Sequence, residues 1–213
     1  MIRPLIAEAL GTLLLVTAVI GSAIMAKNLT PDSGVQLLAN AIATGCALLT
    51  LITILAPLSG AHFNPAVTLV LTLRRQINPK TAVAYVAAQC AGGVCGTLLA
   101  HAMFALPLLQ SATHIRTGAP QYLAEAVATF GLILTILSPR VTPALIASYI
   151  TAAYWFTAST SFANPVMTLA RALTDTPSGI RPIDAPAFVL AQIAGALLAM
   201  ALGGWLYKTD QPT

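Results

Sequence analysis

From Val35 to Pro57 the chain runs without an Asp, Glu, Lys or Arg, and apolar runs of similar length, with no charge or one, recur from end to end. A helix of about 18 or more such residues can cross a bilayer. With 57% hydrophobic and 8% charged residues among 213, the sequence describes an all-α integral membrane protein, its spanning helices taking up nearly the whole chain. No soluble catalytic domain fits in what remains, so an enzyme is not expected. The formal net charge of +4 comes from basic residues scattered in short connections. They read as topology signals rather than as a nucleic-acid surface. Cys46, Cys90 and Cys95 lie inside apolar runs without C-x-x-C or His-rich spacing, so neither a metal nor another cofactor is expected.

Two short segments stand out from these runs. Ser59-Gly-Ala-His-Phe-Asn-Pro-Ala-Val-Thr68 is echoed by Ser161-Phe-Ala-Asn-Pro-Val-Met-Thr-Leu169. Asn is a good N-cap and Pro suits the first helical position, so Asn64-Pro65 and Asn164-Pro165 each read as a helix start. The helices that follow, Asn64 to Leu73 and Asn164 to about Leu173, soon meet Arg74, Arg171 and Asp175. About ten residues span roughly 15 Å, half of a bilayer core of about 30 Å. Two such half-helices entering from opposite faces would meet near the midplane, N-terminus to N-terminus.

The full spans are expected at residues 4 to 26, Val35 to Pro57, Thr81 to about Leu106, Gln121 to Ser138, Thr142 to about Thr160 and Ala187 to Tyr207. Glu8 inside the first run suits a retained helix better than a cleaved leader. Ala7-Glu8-Ala9 is answered by Ala124-Glu125-Ala126, and Gln89 with Gly92 by Gln192 with Gly195. Matched landmarks in one order indicate an internal duplication, with repeats at approximately 1–108 and 119–210 in a single domain, 1–213. Three full spans per half is odd, so the second repeat enters the membrane upside down. With the N-terminus inside, the inner loops carry Arg3, Arg74, Arg75, Lys80, Arg140 and Lys208, and the outer ones Lys27, Arg116, Arg171 and Arg181. The positive-inside bias therefore favours cytoplasmic N- and C-termini in the plasma (inner) membrane.

Facing helix N-termini bring about half a positive charge each and several unpaired N–H groups. A cation is repelled there. If Asn64 and Asn164 cap their own helices, their amide NH2 groups stay free to hold a water by its oxygen, which interrupts a proton wire. Glu8 and Glu125 are expected to accept hydrogen bonds from the re-entrant loops, whose backbone needs partners away from water. The rival reading makes them proton-coupling groups of an inverted-repeat secondary transporter. His62 is placed either on the inner pore vestibule or in the packing of its loop. Gln89 and Gln192, with Gly92 and Gly195, read as helix-packing positions.

The paired Asn-Pro motifs, the Ser-Gly-x-His-x-Asn-Pro-Ala-Val-Thr context, the Ala-Glu segment and the duplicated Gln-x-x-Gly together resemble the aquaporin (major intrinsic protein) family along the whole chain. That resemblance implies six membrane helices plus two re-entrant half-helices, usually in a homotetramer, conducting water and small neutral solutes across the lipid bilayer. It implies a selectivity centre at Asn64, Pro65, Ala66, Asn164, Pro165 and Val166. The second motif departs from the family's usual Asn-Pro-Ala-Arg, because Met167 stands where the filter arginine is expected. Either Met167 faces the lumen, or it tucks into the protein while Arg171, one turn on, swings inward. Carried over by position relative to the two motifs, the resemblance also implies an outer filter of Thr44, Ala152, Ser161 and Met167, none of them bulky or aromatic. Such a filter is wider and less polar than that of a strict water channel. The expected solutes are glycerol, urea-sized molecules and undissociated metalloid hydroxides such as arsenous acid.

Overall fold

The computed structural model describes residues 2–208. It contains α1 (Ile2–Leu29), α2 (Ser33–Ser59), α3 (Pro65–Leu73), α4 (Pro79–Met103), α5 (Ala119–Leu137), α6 (Pro143–Phe156), α7 (Pro165–Ala172) and α8 (Ala185–Leu206). Proline opens α3, α4, α6 and α7, each behind an Asn or Thr whose side chain accepts a backbone N–H of the first turn. Pro fixes the helical φ and the cap satisfies a donor that the helix leaves open.

The architecture is the expected one of six full helices and two half-helices, with corrections of length, α1 running on to Leu29 rather than ending at residue 26. Helix α2 continues through Pro57 to Ser59 and closes on Gly60 at φ 85°, because a proline this close to a C-terminus removes only one ladder bond. Helix α4 ends at Met103 rather than near Leu106. Helix α6 has 14 residues and stops at Phe156 instead of reaching Thr160, so five of the six spans are long and apolar enough to cross a membrane unaided. The residues after Phe156 belong to the re-entrant loop. Thr160, Ser161 and Ala163 there, like Ala61 and Phe63 before α3, have positive φ. A non-glycine residue in that region costs about 1–2 kcal/mol, so each loop must be held from outside itself.

The two halves pack alike: α1 lies on α4, α5 on α8, and α2 crosses α6 between the halves. Large apolar side chains such as Leu10, Leu14, Leu123 and Leu190 point outward, whereas Glu8, Gln89, Glu125 and Gln192 are fully buried. This is the distribution of a protein whose solvent is lipid. Gly92 faces the carbonyl of Ala9, and Gly195 that of Ala126, at separations that leave no room for a Cβ. Small residues let membrane helices approach this closely. Gly92→Val should therefore separate α1 from α4 at a cost of about 1–3 kcal/mol or more; detergent-solubilised variant running as aggregate on size exclusion is the expected outcome, and a wild-type elution profile would contradict it.

Candidate functional site

The tips of α3 and α7 meet. Asn64 Oδ1 accepts from Ala66 N at 2.9 Å, and Asn164 Oδ1 from Val166 N at 3.0 Å and Met167 N at 3.3 Å. The amides also cross over. Asn64 Nδ2 donates to the carbonyl of Ala163 at 2.7 Å, and Asn164 Nδ2 to that of Phe63 at 2.8 Å. The sequence reading left the NH2 groups free, and the structure shows each of them partly engaged. One N–H of each ties the two loops together, which leaves one of its two hydrogens for a passing molecule. Both asparagines line a cavity of about 120 Å³.

Behind the loops sit the two carboxylates. Glu8 accepts from Ser59 Oγ (2.6 Å), His62 N (2.9 Å), Phe63 N (2.8 Å) and Gln89 Nε2 (2.8 Å). Glu125 accepts from Phe162 N and Ala163 N, both at 2.9 Å, and from Gln192 Nε2 at 2.6 Å. Each glutamine also reaches the threonine one turn into its half-helix, Gln89 to Thr68 and Gln192 to Thr168. Those threonines in turn bond the carbonyls of Asn64 and Asn164. The two networks match in their two backbone N–H donors, their glutamine and their threonine, and Glu8 alone also accepts from a serine. Extended or left-handed backbone inside a membrane needs such partners, and these acceptors hold the strained loops in place.

The cavity wall is graded. Val67, Leu71, Ile52, Ile136 and Ile146 line it together with His62, and Thr44, Tyr154, Ser161 and Met167 line it as well. Residues 1–144 match the family described as Major intrinsic protein. The chain is 55% identical over 215 residues to aquaglyceroporin AqpS of Rhizobium meliloti (strain 1021), covering 99% of this chain and 92% of that one. The chain belongs to the major intrinsic protein family. A probable aquaporin PIP2-8 of Arabidopsis thaliana is 38% identical over 143 residues, which make up 64% of this chain and 51% of that protein. In fold, the chain matches the X-ray structure of the aquaglyceroporin from Plasmodium falciparum with a TM-score of 0.71, over 98% of this chain and 96% of the other, at 22% identity.

As a member of the major intrinsic protein family, the chain is a multi-pass integral membrane protein and a passive channel for water and small solutes, not an enzyme. The coupled-transporter alternative is not supported. Glu8 and Glu125 face the loops, and neither lines the cavity.

Of the filter residues inferred from spacing, Thr44, Ser161 and Met167 line the cavity, and Ala152 does not. Ala152 is exposed on the lipid side of α6. At about 100° per residue, a shift of two positions reverses the face of a helix, and the residue that points inward is Tyr154. It is 3% exposed and its hydroxyl lies 3.1 Å from Thr44 Oγ1. Ile146, Ile150 and Tyr154 all reach the cavity, and their four-residue spacing was the available signal. An aromatic side chain therefore stands on the cavity wall beside Thr44, Ser161 and Met167, where the sequence reading had placed none. Pro65, Ala66, Pro165 and Val166 do not line the cavity. They shape the half-helix starts, and Val166 packs against α4 beside Gly93.

His62 has contacts on two sides. It lines the cavity, its Nδ1 is 3.0 Å from Thr68 Oγ1, and its ring packs edge-on against Tyr85. Arg171 does not substitute for Met167 at the cavity wall. Its guanidinium stacks on Phe162, with Cζ 3.4 Å from the ring centroid, and its Nε donates to the carbonyl of Ser178. It lines a second cavity of about 790 Å³, between the start of α2 and the α4–α5 and α7–α8 loops. The two cavities share no lining residue. The Arg171–Phe162 stack stands where they approach each other.

Proposed function

We propose that this channel conducts small uncharged hydroxylated solutes and urea-sized molecules as well as water, with glycerol and undissociated metalloid hydroxides such as arsenous acid as its characteristic cargo. The observation that carries this reading is Met167 on the cavity wall with Arg171 held back on Phe162. The filter then has Thr44, Tyr154 and Ser161 as its hydroxyl side and Met167 with Ile150 as its apolar side. Ser161 Oγ is buried at the cavity wall and has no hydrogen-bond partner among the described residues, which leaves an unpaired hydroxyl beside the passage. A polyol presents this combination of hydroxyls and C–H surface, and pore lining of matched polarity sets selectivity. The high identity to a protein named an aquaglyceroporin over nearly the full chain supports the same choice.

At the centre, Asn64 and Asn164 each offer one remaining N–H toward the solute oxygen, backed by the positive ends of α3 and α7. Cations meet repulsion, and a water held by its oxygen cannot pass a proton along. The repeats, at approximately 1–108 and 119–210, form one channel domain, and the subunit assembles as a homotetramer. It lies in the plasma (inner) membrane with both termini cytoplasmic, which puts the larger cavity outside. Met1 and residues 209–213, which carry those termini, lie outside the described residues.

Stopped-flow light scattering on proteoliposomes, with water, glycerol, urea and arsenous acid in turn, tests the solute range. Met167→Arg should bring a long cation into the filter and cut glycerol and arsenous acid flux by about tenfold or more, equivalent to at least ~1.4 kcal/mol of added barrier, while reducing water flux less. Equal loss of all three would remove Met167 from the selectivity argument.

A further inference from the structure

The larger cavity has a wall chemistry that conduction of neutral solutes does not require. Three cationic side chains, Lys27, Arg116 and Arg171, line it together with His114, against the single carboxylate of Asp175. That carboxylate is already engaged, since its Oδ1 accepts from Thr113 N at 2.9 Å and Thr113 Oγ1 at 2.8 Å. Arg116 gives its guanidinium to three carbonyls, those of Gly179, Ser159 and Pro177. These take three of its five N–H donors without neutralising its charge. Arg171 is different. It is 1% exposed and its Nη1 has no hydrogen-bond partner among the described residues.

A buried guanidinium nitrogen without an acceptor is uncommon and costly. Stacking on Phe162 occupies one face of the guanidinium, so its remaining donors point within the plane, where an acceptor oxygen can meet them. His114 is held below the usual histidine range, by partial desolvation at the cavity wall first and then by Arg116 and Arg171. It is neutral near pH 7 and adds a hydrogen-bond donor rather than another charge. We propose that this cavity binds a small tetrahedral oxyanion of the phosphate class, with Arg171 as the principal donor and Lys27 and His114 closing over it. Glu125, behind the wall, offsets part of the charge of Arg116 and Arg171; a neutral polyol would leave the rest uncompensated, and chloride lacks the several acceptor atoms that these separated donors can use.

The test uses the full chain in nanodiscs of zwitterionic lipid, titrated with inorganic phosphate at constant ionic strength and followed by phosphorus NMR line broadening. Saturable binding with Kd on the order of 1 mM is expected. Lys27→Gln combined with His114→Gln, both at exposed positions, should weaken it about tenfold, and Arg171→Lys should remove it. Because Arg171 is buried, the surface double variant keeps the question decidable if Arg171→Lys does not fold. Non-saturating broadening, equal competition by chloride, or an unchanged Kd in the surface double variant would overturn the site. Binding is measured without flux, so failure of the solute assay and failure of this proposal remain separate results.

Discussion

Glu125→Ala should abolish solute flux and leave little folded protein. The substitution strips acceptors from Phe162 N, Ala163 N and Gln192 Nε2. Each buried donor left unpaired costs about 1–3 kcal/mol. Together they approach the whole net stability of a typical domain, about 5–15 kcal/mol. Local strain adds to the loss, since Ser161 and Ala163 sit at φ 51° and 47° and relax once nothing holds them. The carbonyl of Ala163 that receives Asn64 would then move, and the tie between the half-helices would go with it. Glu125→Gln is the informative companion. It keeps one acceptor oxygen but turns an NH2 toward a backbone N–H, so partial retention of fold with flux reduced by at least about tenfold is expected. Thermal unfolding of the solubilised variants and glycerol efflux from proteoliposomes read the two effects. A Glu125→Ala protein with normal melting and normal flux would show that the carboxylate does not hold the loop.

The second large effect belongs to Tyr154. Its phenol lies against Thr44 on the cavity wall, so Tyr154→Ala should widen the filter and raise glycerol and arsenous acid permeability by roughly tenfold relative to water. The cavity term accompanies it: removing a buried aromatic side chain costs about 3–5 kcal/mol of stability. Tyr154→Phe separates the two, because it keeps the ring and deletes only the hydroxyl. A modest change in solute preference with near-normal melting is expected for it. Ala152→Phe, on the lipid face, should leave selectivity unchanged. If Ala152→Phe altered the solute ratio and Tyr154→Ala did not, the inward face of α6 would be misassigned.

Much of this arrangement was legible in the amino-acid order. The uncharged runs required a membrane, because few other settings accept so much apolar surface. The twin Asn-Pro segments with their short apolar followers pointed to half-helices, and the repeated Glu and Gln positions pointed to two matching hydrogen-bond networks. In these respects periodicity and capping act locally, and the matched Glu8 and Glu125 networks follow from one motif used twice. The departure at Met167 was also visible without coordinates.

What the tertiary structure alone decided are the questions of direction and distance. Which face of α6 turns inward depends on where that helix stops and how it crosses α2, and a two-residue shift exchanged Ala152 for Tyr154. The crossing of the Asn64 and Asn164 amides onto opposite carbonyls depends on contacts about a hundred residues apart, which no local pattern encodes. The withdrawal of Arg171 onto Phe162, and its meeting with Lys27, His114 and Arg116 around one cavity, likewise joins three separate stretches of chain. Local sequence fixes which backbone forms a helix and where it begins. The wall of a pore is drawn by side chains from many such helices, so its composition emerges only when they pack.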